Sequence, residues 1–320
     1  MGKTAWIITA LALVALGMLV LIIALSSVGW DLSRLSTKNY ETNSYEINED
    51  FENILIGTNT ADVTLVPSYD GKCSVVCHEQ SDVRHTVFAM DGSLTVSVND
   101  TRKWYEYIGF NFTKPKITIY VPVGDYSSLL INSDTGDVEI PKDFSFKSIY
   151  VSVDTGDVRN YASASEKIKI DTSTGNITVE GISVGSLELS VSTGKITAAD
   201  IISEGDFKAE VSTGMSNLTN VSCKNLISDG DTGDISLKNV IASERFYIER
   251  DTGDVILDGC DATEIFIETD TGDVTGTLLS SKVFIVETDT GRRDVPKTAT
   301  GGRCEITTDT GDIRISLTEN

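Results

Sequence analysis

Ten Thr-Gly pairs recur at an almost constant period along the last 185 residues of this chain. Their glycines are Gly136, Gly156, Gly175, Gly194, Gly214, Gly233, Gly253, Gly272, Gly291 and Gly311, always 19 or 20 residues apart. A fixed period of this length means one supersecondary unit copied and stacked, each copy burying its apolar face against its neighbours. Positions around each glycine obey the same rule. Seven residues before it stand Leu129, Ile149, Ile168, Leu187, Phe207, Leu226, Phe246, Ile265, Phe284 and Cys304. Five before and two after are again apolar, with Ser228, Ser216 and Arg293 as polar exceptions. Spacing by two, with β-branched residues dominant, is the strand period.

The inward positions are odd before the glycine and even after it, so one residue turns a corner. Glycine suits that place because a corner often requires positive φ. Asp or Ser stands just before each Thr-Gly, and both can accept a hydrogen bond from a turn N–H. The expected fold is all-β: a single-chain β-solenoid of stacked coils of about 19–20 residues, in which equal positions of successive copies lie over one another about 4.8 Å apart. An antiparallel sandwich is the competing fold. It would not require the same residue types at the same offset in every unit.

Residues 1–4 form a short stub. Positions 5–28 carry no charge and are rich in Leu, Ile, Val and Ala. About 20 such residues span a bilayer, so this segment reads as a transmembrane anchor helix. A cleaved signal peptide is the rival, since Ala24-Leu25-Ser26 loosely resembles a cleavage site; the apolar stretch exceeds the usual signal core of about 7–15 residues. Residues 29–49 are polar and read as a stalk. Residues 50–128 read as an irregular β start or cap: Ile54, Ile56, Val63 and Leu65 fit the repeat with Ala61 in the glycine's place, after which the period breaks. Trp104, Tyr105, Tyr107, Phe110 and Phe112 fall in that break, as cap or binding surface. Regular repeats occupy 129–320. The stretch Ile313–Asn320 has no comparable cap, leaving an edge open to be blunted or paired.

Asp-Thr-Gly, the tripeptide of aspartic proteases, occurs seven times. Those enzymes bring two such carboxylates together to share a proton. Here the motif follows the structural period, and Ser173, Ser192 and Ser212 replace the aspartate in three adjacent copies. It reads as architecture, and no catalytic residue is assigned. A second aspartate follows the glycine at Asp137, Asp157, Asp234, Asp254, Asp273 and Asp312. Stacked carboxylates repel by about 1 kcal/mol per pair in water, a strain that Ca²⁺ would relieve. Asn176, Lys195, Met215 and Arg292 interrupt that column, so turn capping is the preferred role and weak surface Ca²⁺ binding the alternative. No metal ligand or cofactor-binding residue is assigned: the five cysteines show no zinc spacing, and only His78 and His85 offer imidazoles. Cys260 and Cys304 fall at core positions, and Cys73 and Cys77 stand too far apart along one strand for a disulfide.

The net charge of −22 excludes nucleic acid as a partner, because that affinity comes from basic side chains. Together, an apolar helix, an irregular β start and coils reading Ser-Val-Asp-Thr-Gly-Asp-Val (152–158) or Ile-Glu-Thr-Asp-Thr-Gly-Asp-Val (267–274) resemble the bacterial putative-adhesin family of β-strand-repeat proteins. The likeness covers about residues 50–320. It implies a non-enzymatic protein at the cell surface, held by a single-pass helix with the β domain outside, whose partners are envelope or host-surface ligands. An envelope-stress sensor acting with membrane proteins is the alternative. A carbohydrate-active β-helix is disfavoured, because the acids sit on corners and aromatics along the rod are few. The family motif is the corner element itself, so no functional residue carries over.

Overall fold

A computed structural model describes residues 3–27, 29–30, 39–102 and 113–318. One helix, α1 (Lys3–Ser27), precedes the β structure. Its span Trp6–Ser27 is long and apolar enough to cross a membrane, with mean hydropathy 3.0.

The described strands from Tyr40 onward join one continuous sheet of 20 strands, most of it a parallel stack of coils. Equal positions lie over one another, as the period requires: Leu187 pairs with Phe207, Gly194 with Gly214 and Ile201 with Val221, all in parallel register. In every coil but that of Gly291, where Arg293 is exposed, side chains seven and five before the corner point inward with the one two after it, and Leu129, Ile149, Ile168, Val138, Val158 and Ile177 are fully buried. The apolar core is thus a set of columns running through the whole stack.

The corner glycine earns its recurrence sterically. At Gly175 φ is +146°, and an added Cβ would lie 2.0 Å from the carbonyl oxygen of Gly156 in the coil before it. Any side chain there would wedge two backbones apart. Ala61 continues the same column beneath Gly136, as its place in the repeat suggests, and is buried.

A second corner, six residues further on, has its own rule. Gly181, Asp200, Asn220, Asn239 and Gly259 all have φ between +51° and +67°. Asn, Asp and Gly tolerate this left-handed conformation best. The side chains also join: Asn220 Nδ2 donates to Asp200 Oδ1 at 2.8 Å, and Asn239 Nδ2 to Asn220 Oδ1 at 3.1 Å.

The two ends depart from sequence order. At the first end the strands are β1 (Tyr40–Ile47), β2 (Asn53–Thr58), β3 (Asp62–Ser68), β4 (Cys73–Gln80), β5 (Val83–Met90), β6 (Ser93–Asp100) and β7 (Lys116–Pro122). β2 and β3 lie between the Gly136 coil on one side and β6 and β7 on the other, all parallel. β5 then closes β6, and β4 closes β7, both antiparallel, with β1 antiparallel on β4. The segment 29–49 is therefore not simply a stalk: Tyr40–Ile47 is a paired strand of the cap. Its alternation was masked by polar residues, because β1 lies at the rim and buries little. Residues 103–112, including the aromatic run from Trp104 to Phe112, lie outside the described residues.

At the other end the last coil in the chain is not the last in space. The strand Gly302–Thr310 inserts between Val255–Thr271 and Lys282–Thr290. Ile313–Leu317 likewise pairs with Val274–Leu278 and, at its first two residues, with Arg293–Asp294. The Gly311 coil is thus sandwiched, and the Gly291 coil forms the end. The expectation of an open edge at Ile313–Asn320 is corrected at Ile313 and Arg314, which Arg293–Asp294 covers. The period made all coils look equivalent, and nothing in it dictates which of two equivalent coils stacks first.

Candidate functional site

The acidic columns are the feature that most invites a site, and their geometry assigns them first to the fold. Each aspartate following a corner glycine caps the next coil. Asp157 N donates to Asp137 Oδ1 at 2.9 Å, Asn176 N to Asp157 Oδ1 at 2.9 Å, and Asp254 N to Asp234 Oδ1 at 2.9 Å. The series continues from Asp273 N to Asp254, Asp312 N to Asp273 and Arg292 N to Asp312, each at 2.8 Å. A carboxylate that accepts a backbone N–H relieves an unpaired donor at the interrupted strand. The amide of Arg292 and the Arg314 side chain hold the Asp312 carboxyl below its ordinary range. In the middle of the rod the interruption vanishes: the strands Ser163–Ser203 and Phe207–Thr232 run through corners bearing Asn176, Lys195 and Met215.

The aspartates of the seven Asp-Thr-Gly motifs, Asp134, Asp154, Asp231, Asp251, Asp270, Asp289 and Asp309, are all exposed and follow the corner column. They line a surface instead of converging in a cleft as a proton-sharing dyad must.

Beside them lies an outward face of the parallel sheet. Asp229, Glu249 and Glu268 stand in register in three successive coils, with Ile227, Tyr247 and Phe266 in register two residues before them. Burial together with the charges of Glu249 and Glu210 raises the Asp229 carboxyl above its ordinary range. The Arg245 and Arg303 guanidiniums each sit 5.4 Å from the Phe266 ring centre, and Arg245 also pairs with Glu264 at 3.0 Å. A groove of about 480 Å³ opens here, lined by Leu226, Ile227, Arg245, Tyr247 and Glu264 among others. A longer groove of about 790 Å³ crosses the first coils, floored by Tyr126, Phe146, Ala164 and Val184 with Ser127, Ser145, Ser163 and Ser183.

Two buried polar clusters escaped the sequence reading. Arg250 projects into the core and is 2% exposed. Its Nη2 donates to Ser228 Oγ at 2.9 Å and reaches Ser216 Oγ at 3.5 Å, while Nε has no partner. Those two serines are the polar exceptions in the core columns. Gly230 completes the slot, for an added Cβ there would meet Arg250 Nη1 at 1.7 Å. Burial lowers the guanidinium's pKa. The signal was present in the sequence as a run of small polar substitutions at inward positions, one and two coils before an inward arginine.

The second cluster is Cys77, Glu79 and His85, all buried, with one donor atom from each within 4.8 Å of the others. His85 Nδ1 meets Glu79 Oε2 at 2.6 Å, and the His85 backbone N–H donates to the same oxygen at 2.7 Å. Glu79 Oε1 accepts from Asn43 Nδ2 at 2.7 Å, and His85 Nε2 faces Thr58 Oγ1 at 3.0 Å. The cysteines are free and buried, and burial pushes the thiols of Cys77, Cys223 and Cys304 up to about 12 and that of Cys73 to about 11. Such thiols are poor nucleophiles at neutral pH.

The model of the Toastrack DUF4097 family matches residues 51–210 and 198–320. The chain belongs to the Toastrack DUF4097 family. No curated protein matches it. Among solved structures it is similar to a "putative adhesin" from Parabacteroides merdae, at 14% identity and TM-score 0.50, covering 88% of this chain and 97% of that one. It is also similar to a "putative lipid binding protein" from Parabacteroides distasonis, at 14% identity and TM-score 0.48, covering 88% and 98%. A further "putative adhesin" from Parabacteroides distasonis matches at 10% identity and TM-score 0.42, covering 85% and 98%. At these identities the Parabacteroides merdae likeness speaks to the fold alone.

Proposed function

We propose that this Toastrack protein is a non-enzymatic, adhesin-like scaffold. Its N-terminal helix holds it in the membrane as a single pass, and its acidic rod stands outside the cell. The observation that carries the reading is the in-register row Asp229, Glu249 and Glu268 on the parallel sheet, flanked by Tyr247 and Phe266. Repeating one side-chain type every coil makes an extended surface suited to a repetitive or extended ligand. Catalysis needs unlike groups held around one reacting atom. The name "putative adhesin" borne by a structural neighbour points the same way. The ligand class is envelope or host-surface material carrying cationic groups, since an acidic face attracts positive charge and repels anionic lipid headgroups.

The test uses the full chain in detergent or nanodiscs, incubated with isolated cell-wall fragments and with host extracellular-matrix preparations. Retention that falls with salt, and falls again in an Asp229→Asn/Glu249→Gln/Glu268→Gln variant, is the expected result. Absence of retention on every surface tested, or retention indifferent to those three substitutions, would reject the lateral-face reading.

A further inference from the structure

We propose that Cys77, Glu79 and His85 form a site for one transition-metal cation of the zinc class, built into the end layer of the rod. A thiol, an imidazole and a carboxylate are the donor set that zinc takes, and the softness of sulfur selects against Ca²⁺ and Mg²⁺. The three residues come from two strands: Cys77 and Glu79 alternate on β4, and His85 follows the tight turn into β5. All three are buried, and one donor atom from each lies within 4.8 Å of the other two.

The surroundings match what a metal-bound imidazole and carboxylate require. A ligating histidine commonly donates its other ring N–H to an oxygen, which sets the tautomer. Here Thr58 Oγ1 of β2 lies 3.0 Å from His85 Nε2. With that nitrogen donating, the Nδ1 lone pair faces Glu79. The carboxylate's second oxygen is held by Asn43 Nδ2 of β1 at 2.7 Å, so both outer partners are in place on separate strands. The 2.6 Å approach of His85 Nδ1 to Glu79 Oε2 is where the ion would enter. A tetrahedral ion with bonds of about 2.0–2.1 Å would spread those atoms to about 3.3 Å. On the Thr58 side of the ring a small void is lined by Thr58, Gln80 and His85, and the buried Gln80 Oε1 has no hydrogen-bond partner. Three protein ligands leave a fourth position for water. Because Asn43 lies on β1, loading the site would also tighten the hold of that rim strand on the rod.

The experiment titrates the EDTA-stripped full chain in detergent with Co²⁺ and then with Zn²⁺. One Co²⁺ per chain, with a thiolate-to-cobalt charge-transfer band and the intense visible spectrum of a tetrahedral ion, is expected. Zn²⁺ should displace it and raise Tm. Cys77→Ser should remove the charge-transfer band and Cys73→Ser should leave it unchanged. Thr58→Ala, which alters no ligand, should weaken affinity about tenfold or more. The wild-type titration is decisive without any variant: no charge-transfer band, or only the weak spectrum of an octahedral ion on surface carboxylates, overturns the proposal. A band that persists in folded Cys77→Ser overturns it equally.

Discussion

Replacing Gly175 by alanine tests the stacked-corner geometry in the middle of the rod. The new Cβ would lie 2.0 Å from the Gly156 carbonyl oxygen, whereas real Cβ atoms keep beyond 3.0 Å, so one coil must retreat from the other by about 1 Å. That movement stretches Gly156 N to Thr174 O and Asn176 N to Asp157 Oδ1, both 2.9 Å. Forcing alanine to φ +146° costs about 1–3 kcal/mol. Each weakened hydrogen bond costs about 1 kcal/mol more. The expected loss is therefore about 3–5 kcal/mol. Gly181, six residues on in the same coil, is the internal control. Its φ is +67°, an added Cβ meets nothing within 4 Å, and the equivalent residues Asp200, Asn220 and Asn239 adopt the same conformation with side chains. Gly181→Asn should fall within about 0.5 kcal/mol of the parent. Urea unfolding of the full chain, followed by circular dichroism, measures both. In a rod whose coils touch only their neighbours, a weakened middle interface should also split the transition in two. Equal cost for Gly175→Ala and Gly181→Asn would refute column stacking as the reason for the repeat glycine.

Four other outcomes are expected. Arg250→Met should leave Tm unchanged or raise it, because it fills the slot without an unpaired buried charge, while Arg250→Ala should lose about 2–4 kcal/mol to the cavity; thermal melts of the two variants separate these effects. Asp254→Ala removes the acceptor for Asp273 N and should cost about 1 kcal/mol, with Asp254→Asn retaining most of it, as read by urea midpoints. Lys167 and Lys169 hold the Glu188 carboxyl down to about 2 from an ordinary 4.5. Its folded pKa is the lower one, so its contribution is present above pH 4.5 and fades as pH falls toward 2; Glu188→Gln should flatten stability across that window in acid titrations. Deleting residues 302–320 removes the layer between the Gly272 and Gly291 coils, so limited proteolysis should then also trim Lys282–Asp294, whose strands pair with no other strand among the described residues.

Much of the rod was legible because its information is local and repeated. An inward Ile149 or Val158 declares itself by alternation, and ten copies average away exceptions such as Ser216. The corner aspartates were read as caps, but the donor they satisfy belongs to the next coil, 19 or 20 residues away in most cases, and 39 from Asp273 to Asp312. The second corner went unread because Gly181, Asp200, Asn220, Asn239 and Gly259 share a backbone conformation, not a residue type.

By itself, the order of amino acids determined the coil, its apolar columns, its glycine corner and the apolar helix, since each depends on residues within one period or one helical run. Only the tertiary structure decided which coil lies at each end, that Arg250 fills the space left by Gly230 and the two serines, and that Cys77, Glu79 and His85 meet. Equivalent coils have nearly equal stacking energies, so their order rests on the capping strands and on whole-chain connectivity. A buried cluster likewise depends on where strands from different layers cross, a distance that no local pattern encodes.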